Sequence, residues 1–575
     1  MRKLLIALAA ITLFASCGEP KETQQRTQQK AKGPVMYGGV FRLNEVEDFR
    51  NLYPLNVTEV TSFRIANQVY EGLVKFSSKD LSIIPSLAER WEINEEATKF
   101  TFFIRKGVMF HDDPCFPEGK GREVTADDFL YSFTNLCTSS SENQMFGLLF
   151  DKKVKGASEY YQSTIDGAPL ADGVSGIKII DKYTIQLELE NSFAGFLNIV
   201  GHNGCWVIPK EAVEEYGIDM RIKCVGTGAF TVKKVKEGEA VILAKNPNYW
   251  KFDEFGNQLP YLDAIRFSFL KEKKAELLEF KKGNLDMVFQ LPLEMIDEVV
   301  GELEDAKLGG NKPFQMQVNS AFSVQYYGFQ NKSELFSNKD VRKAFNYAID
   351  REKLVTYTLQ GDGTPGIYGI VPPGLKGYEY DSLRGYSYDP EKAMDYFAKA
   401  GYPNGEGFPE ITLQLNSGGS RNIQLAEAIQ SMLMETLNIS IKMNVMPFAQ
   451  HLEALETGKT LFWRSAWLAD YPDPENFLSL LYGPLVPEKL EEKSYINSVR
   501  YQSEAYDTIF EKALATVDKS ERFKYYRMAD QIALDDAPYM PICYDEFTRL
   551  LQRNVRNFPA NAMEYRDFST VFFKD

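Results

Sequence analysis

The chain predicts an α/β protein of at least two lobes, and two observations carry that reading. Its 575 residues exceed what one ordinary hydrophobic core organises, so the chain divides into lobes that each bury their own apolar interior. In the C-terminal half, ITLQLN (411–416) alternates as a strand, NIQLAEAIQSMLMETL (422–437) repeats apolar residues at helical spacing, and ISIKMNV (439–445) alternates again. FAQHLEALETG then reads as a helix and LFWRSAW as a strand. This lobe is expected to hold a doubly wound, largely parallel sheet with right-handed crossovers.

The N-terminus stands apart from the fold. MRK is a short basic region, LLIALAAITLFA is an apolar run too short to span a bilayer, and FASC is a small-residue cleavage site, so residues 1–16 read as an export signal. Cys17 at that boundary looks like the lipid-modified first residue of a bacterial lipoprotein, with Phe14 where Leu is usual; the alternative is an ordinary cleavage site and a free thiol. Residues 17–35 are polar, rich in Gln and Lys, and expected to form a disordered tether. As a random coil it averages roughly 20 to 25 Å, which keeps the folded body near a membrane surface.

Cleavage leaves 63 basic against 80 acidic residues, a net charge of −17, which makes nucleic acid a poor partner. Five cysteines remain. Outside the cytoplasm the close pairs Cys115 with Cys137 and Cys205 with Cys224 are disulfide candidates, the alternative being buried thiols, which is also the reading of Cys543. Three histidines, His111, His202 and His451, are far apart, and no metal-ligand spacing, GxSxG or GxxxxGK[ST] occurs, so no metal, cofactor or enzymatic centre is expected. Paired acids such as Asp127 with Asp128 read as helix-end charges.

Along the chain, YEGLV (70–74), PSLAERWEI (85–93), FFIRKGVMFHD (102–112) and VTADDFLYS (124–132) form a strand-and-loop region with one capped helix. VGTGAF (225–230) opens a strand, and NPNYW (246–250) is an aromatic loop. In YDPEKAMDYFAKAGYP, Asp389 caps a helix, Pro390 occupies its first turn and Gly401 ends it. VRKAFNYAIDREKLV (341–355) places Val341, Phe345, Ala348 and Ile349 on one inward face.

These segments, together with ADYPDPENFL (469–478), resemble in identity and order the family 5 extracytoplasmic solute-binding proteins, the oligopeptide- and dipeptide-binding proteins of ABC importers. The resemblance runs from about Gly38 to the C-terminus. It implies a two-lobe periplasmic-binding-protein-like fold (type II, cluster C) with an extra inserted domain and a hinge that the chain crosses twice. By that analogy lobe I combines 36–60, 176–327 and 544–575, the inserted domain covers 61–175, and lobe II covers 328–543. The implied activity is capture of a peptide by hinge closure and delivery to a membrane permease, with the protein working as a monomer. Alternatives are another solute on the same scaffold (a metal chelate, an oligosaccharide or a signalling peptide), a secreted hydrolase, or an adhesin or chaperone.

Within WRSAWLADYPDPENFLSLL the two aspartates separate by local context. Asp473 precedes Pro474 and a helical run, the pattern of a helix cap. Asp470 ends a strand, where open α/β sheets place ligands, and in the resembling family the Asp of ADY receives the α-amino group of a peptide; the alternative is an Asx turn before Pro472. An ammonium leaving water in a closed cleft needs such a carboxylate to offset desolvation. Arg464 lies an even number of residues upstream, on the same strand face, and the resemblance makes it the receiver of the peptide carboxylate; the alternative is a surface salt bridge. The resemblance also places Trp467 on a side-chain pocket and puts the loop VTEVTS (57–62), with Val60, and Tyr544 against ligand. Trp463 is expected in the core.

Overall fold

The computed structural model describes residues 29–193, 195–309 and 313–574. Cys17 and the export signal lie outside the described residues. The tether is not coil throughout: Gln29–Lys30 pairs antiparallel with Met36–Tyr37, so its last residues return as a hairpin onto the folded body. Among the described residues no helix is long and apolar enough to cross a membrane.

Lobe I opens with strand β1 (Val40–Asn44), whose Phe41 and Leu43 are fully buried, followed by helix α1 (Val60–Ala66). Glu59 caps α1 by accepting the Ser62 N–H at 3.0 Å. Ile65, Ala66, Val69 and Tyr70 pack in the same core as Phe41. These four residues, expected within the inserted domain, thus share a core with β1. The sheet of the inserted domain contains β2 (Ala88–Ile93), β3 (Lys99–Ile104), β4 (Ile177–Asp181) and β5 (Thr184–Glu188) in the order β2-β3-β5-β4, antiparallel throughout. Residues 177–188, expected in lobe I, thus complete the inserted domain, because β5 pairs between β3 and β4. Helix α2 (Ala126–Leu136), started by a Thr125–Asp128 capping box, packs Phe129 and Phe133 into this core.

The chain returns at Trp206 and Ile208, which join the lobe I core. Strands β6 (Phe230–Lys236), β7 (Ala240–Lys245) and β8 (Ala264–Ser268) then build the sheet β6-β7-β8-β1, with β8 parallel to β1.

The largest sheet ties the lobes together. It contains β9 (Met287–Phe289), β10 (Phe314–Phe329), β11 (Ile411–Asn416), β12 (Ile441–Met446), β13 (Phe462–Leu468) and β14 (Tyr539–Gln552), in the order β9-β14-β10-β13-β11-β12. Only β12, β11 and β13 run parallel; β13-β10, β10-β14 and β14-β9 are antiparallel. The expected largely parallel sheet is therefore mixed: helix α3 (Ser420–Leu437) returns β11 to β12, α4 (Phe448–Glu456) leads to β13, and two long strands close the antiparallel side.

Strands β10 and β14 each pass from one lobe to the other. Their pairing breaks between Ser320 and Val324, opposite Glu546 and Tyr544. Trp463 is fully buried, as expected, and seats its indole on Gly328, where an added Cβ would lie 2.5 Å from the ring.

The disulfide expectation is corrected: Cys115, Cys137, Cys205, Cys224 and Cys543 are all free thiols. Cys205 belongs to the inserted-domain core and Cys224 to the lobe I core, so these two neighbours in sequence are held in separate interiors. Cys115 sits half-buried beside Asp113, whose carboxylate accepts its backbone N–H at 3.0 Å, while Cys137 is fully buried at the end of α2.

Candidate ligand-binding cleft

A cavity of about 390 Å³ lies between the lobes, large enough for a small organic ligand. Its lobe II wall is strand β13 with its continuation to Asp470, its lobe I wall includes Val57–Val60 and Phe289, and its floor includes Ser323, Gln325 and Asp545 near the strand break.

Asp470 follows β13 and faces the cavity with a side chain 29% exposed. Its backbone N–H donates to Asn476 Oδ1 at 3.0 Å, and its Oδ2 accepts from Asn476 Nδ2 at 3.2 Å. The same Asn476 Oδ1 accepts the Trp467 indole N–H at 2.9 Å. One fully buried amide therefore fixes both the carboxylate and the indole that line the cavity. Asn476 lies in helix α5 (Glu475–Leu478), whose approach is set by Asp473: its Oδ1 accepts the Glu475 N–H at 3.0 Å. Burial raises the Asp473 carboxyl above its ordinary range. The structural role read for Asp473 thus holds, and its consequence is the placement of Asn476 under Asp470.

Arg464 and Arg421 line the same wall but differ in charge balance. Arg421 is ion-paired with Asp362 and lies 3.3 Å from Asp545. Burial would lower its pKa, but these two carboxylates more than offset that and raise it. Arg464 donates to Asn416 Oδ1 at 3.1 Å and to Gln325 Oε1, neutral acceptors, and among the described residues no carboxylate lies within ion-pair distance of it. Asp545 does not fill that role, since it accepts Ser323 Oγ at 2.6 Å and Gln325 Nε2 at 2.7 Å besides Arg421. Burial holds the Arg464 guanidinium below its ordinary pKa, with Arg421 adding repulsion. An anion arriving in the cavity relieves both effects.

Val60 lines the cavity and is 37% exposed. The segment expected as a loop is helical from Val60 onward, and the Thr58 carbonyl accepts the Tyr495 hydroxyl at 3.2 Å. Tyr544 is displaced from its expected role: it is 2% exposed, its hydroxyl donates to the Gly369 carbonyl at 2.7 Å, and the cavity is lined instead by its neighbours Asp545 and Phe547. The sequence offered no sign of Asn476, Gln325 or Asn416, because a buried amide that orients a charged neighbour has no spacing of its own.

In the lobe I wall itself, Glu45 pairs with Arg64 and Arg566 at 2.7 Å each, and Glu564 pairs with Arg566 at 3.0 Å. These buried charges satisfy one another, whereas Asp470 and Arg464 line the cavity with no Lys, Arg, Asp or Glu within ion-pair distance among the described residues. Among the described residues no cluster of His, Cys, Asp or Glu could hold a metal ion.

Residues 82–486 match the family described as bacterial extracellular solute-binding proteins, family 5, middle region. Heme-binding protein A of Haemophilus influenzae is 26% identical over 99% of this chain and 98% of its own length. The periplasmic oligopeptide-binding protein OppA of Escherichia coli is 24% identical over 88% of each chain. The periplasmic binding protein DppA of Helicobacter pylori, solved in complex with the peptide STSA, superposes with a TM-score of 0.81 at 25% identity, covering 94% of this chain and 99% of that one. The long two-lobe chain, its mixed sheet crossing between lobes and these matches agree: the chain belongs to the family 5 extracellular solute-binding proteins of ABC importers.

Proposed function

We propose that this chain captures short peptides with free termini and hands them to the permease subunits of an ABC importer, held at a bacterial membrane by a lipid on Cys17. The observation that carries the reading is the pair of unmatched charges on one wall of an interlobe cavity: Asp470 with only an amide donor from its own lobe, and Arg464 with only neutral acceptors. A zwitterion laid along β13 meets a carboxylate with its ammonium and a guanidinium with its carboxylate. Along a strand, six residues span about 20 Å, which suits a peptide of a few residues.

The names of the relatives support a binding role and include heme, glutathione and peptides. Direct ligation of a heme iron finds little support in this chain. Both ring nitrogens of His111 and of His451 are engaged with protein groups, and His202 is 4% exposed.

The test is calorimetry with tripeptide mixtures in three forms: free, N-acetylated and C-amidated. Tight binding of the free form with losses on blocking either end supports the reading; equal binding of all three, or binding of none, contradicts it.

A further inference from the structure

His202 stands where the inserted domain returns to lobe I, immediately before the turn Asn203–Cys205. Its Nδ1 accepts the Gly204 N–H at 3.2 Å, so the neutral ring carries its proton on Nε2. That Nε2 lies 3.8 Å from Asp470 Oδ2, across the interlobe boundary, with the edge of Tyr471 packed at 6.4 Å between ring centroids. The His202 side chain is 3% exposed, whereas that of Asp470 is open to the cavity. Asp470 Oδ2 is thus flanked by Asn476 from lobe II and by His202 from the opposite side, and Oδ1 has no hydrogen bond among the described residues.

We propose that His202 is a positioning residue for ammonium recognition: its Nε2–H steadies Oδ2 of Asp470 from across the cleft, leaving Oδ1 for the ligand. This rests on the reading of Asp470 as the amino anchor. The present separation is about 1 Å beyond an N–H···O hydrogen bond, so a small further approach of the lobes completes the contact. Recognition of the ammonium and closure are then the same event: Asp470 is best oriented only when lobe II has reached His202. A ligand that draws its affinity from Asp470 thereby favours the closed state over the open one, which is what a closure mechanism requires.

The experiment is a double-mutant cycle on the full folded chain, with binding of a free-amine tripeptide mixture as the readout. His202→Leu is expected to weaken capture about tenfold in the Asp470 chain and less than twofold in the Asp470→Asn chain, the loss matching one charge-assisted hydrogen bond. His202→Gln, whose amide N–H can stand near Nε2, is expected to keep affinity within about threefold of wild type, with thermal melting confirming that each variant folds. Equal losses in both backgrounds, or no loss in either, overturn the inference while leaving the peptide reading intact. Failure of the wild-type chain to capture any free-amine tripeptide overturns both.

Discussion

Arg50 of lobe I reaches Glu456 of lobe II, Nη1 to Oε1, at 3.3 Å across the cleft. Glu456 is 7% exposed and Arg50 21%, so the pair forms only when the lobes meet and is partly withdrawn from water. Such a pair favours closure by about 1 to 2 kcal/mol, and much of the effect of breaking it comes from the charge left behind. Arg50→Met is therefore expected to weaken capture of every ligand about 5- to 20-fold, chiefly through faster release. Adding Glu456→Gln should recover part of that loss. Stopped-flow release rates check both statements, and an Arg50→Met chain that releases ligand at the wild-type rate shows that the pair plays no part in closure.

Asn476 is the buried hub between Trp467 and Asp470. Replacing it by Leu strips a donor from the carboxylate and an acceptor from both the indole and the Asp470 N–H, leaving buried polar groups unmatched. The expected result is a stability loss of about 1 to 3 kcal/mol together with weakened binding of free-amine peptides. Denaturant melts and calorimetry on the same preparation separate the two; unchanged binding in a folded Asn476→Leu chain contradicts the assignment.

Asp530 gives the fold a pH signature. It is fully buried and accepts from the Ile370 N–H at 3.0 Å and the Tyr378 hydroxyl at 3.1 Å, with no cation paired to it among the described residues, and burial raises its carboxyl to about 6. The folded chain therefore holds a proton on this group that the unfolded chain has released. The contribution of Asp530 to stability is full below about pH 4 and is lost as pH rises through about 6, by up to about 3 kcal/mol. Asp530→Asn removes that dependence. Comparing unfolding free energies of the two chains from pH 4 to 7 checks the sign, and parallel curves contradict it.

The thiols predict indifference to reductant. Burial raises Cys224 and Cys543 to about 12, and burial with Asp113 nearby does the same for Cys115, so native-state alkylation near neutral pH should be slow. A chain beginning at Gln29 should release five thiols on unfolding without reductant, and its melting temperature should be the same with reductant present. Three thiols or one would restore a disulfide.

What the sequence disclosed follows the range of the interaction concerned. Strands β11 and β12 and helix α3 were legible because alternation and helical period are local, and Asp473 was separable from Asp470 because Pro474 marks a helix start. The limits of the inserted domain were not legible: β5 joins this sheet by pairing with β3, some eighty residues earlier in the chain, and β4 joins it only by pairing with β5. The 16-residue strand β10 was also missed, since a strand that passes through two lobes and changes register between Ser320 and Val324 carries no single alternation. In the site, charged residues on one strand face could be found from spacing. Asn476, Gln325 and His202 could not, because each acts by orienting a neighbour through a contact that only the folded chain makes.

The central claim is that Asp470 receives the ammonium of a captured peptide. Native mass spectrometry of the lipid-free chain purified from cell extract, compared with Asp470→Asn, tests it most directly. A ladder of co-purifying peptides on the wild-type chain that disappears from the variant is the expected result. A chain that carries a non-peptide ligand, or that keeps the same peptides without the carboxylate, contradicts the account.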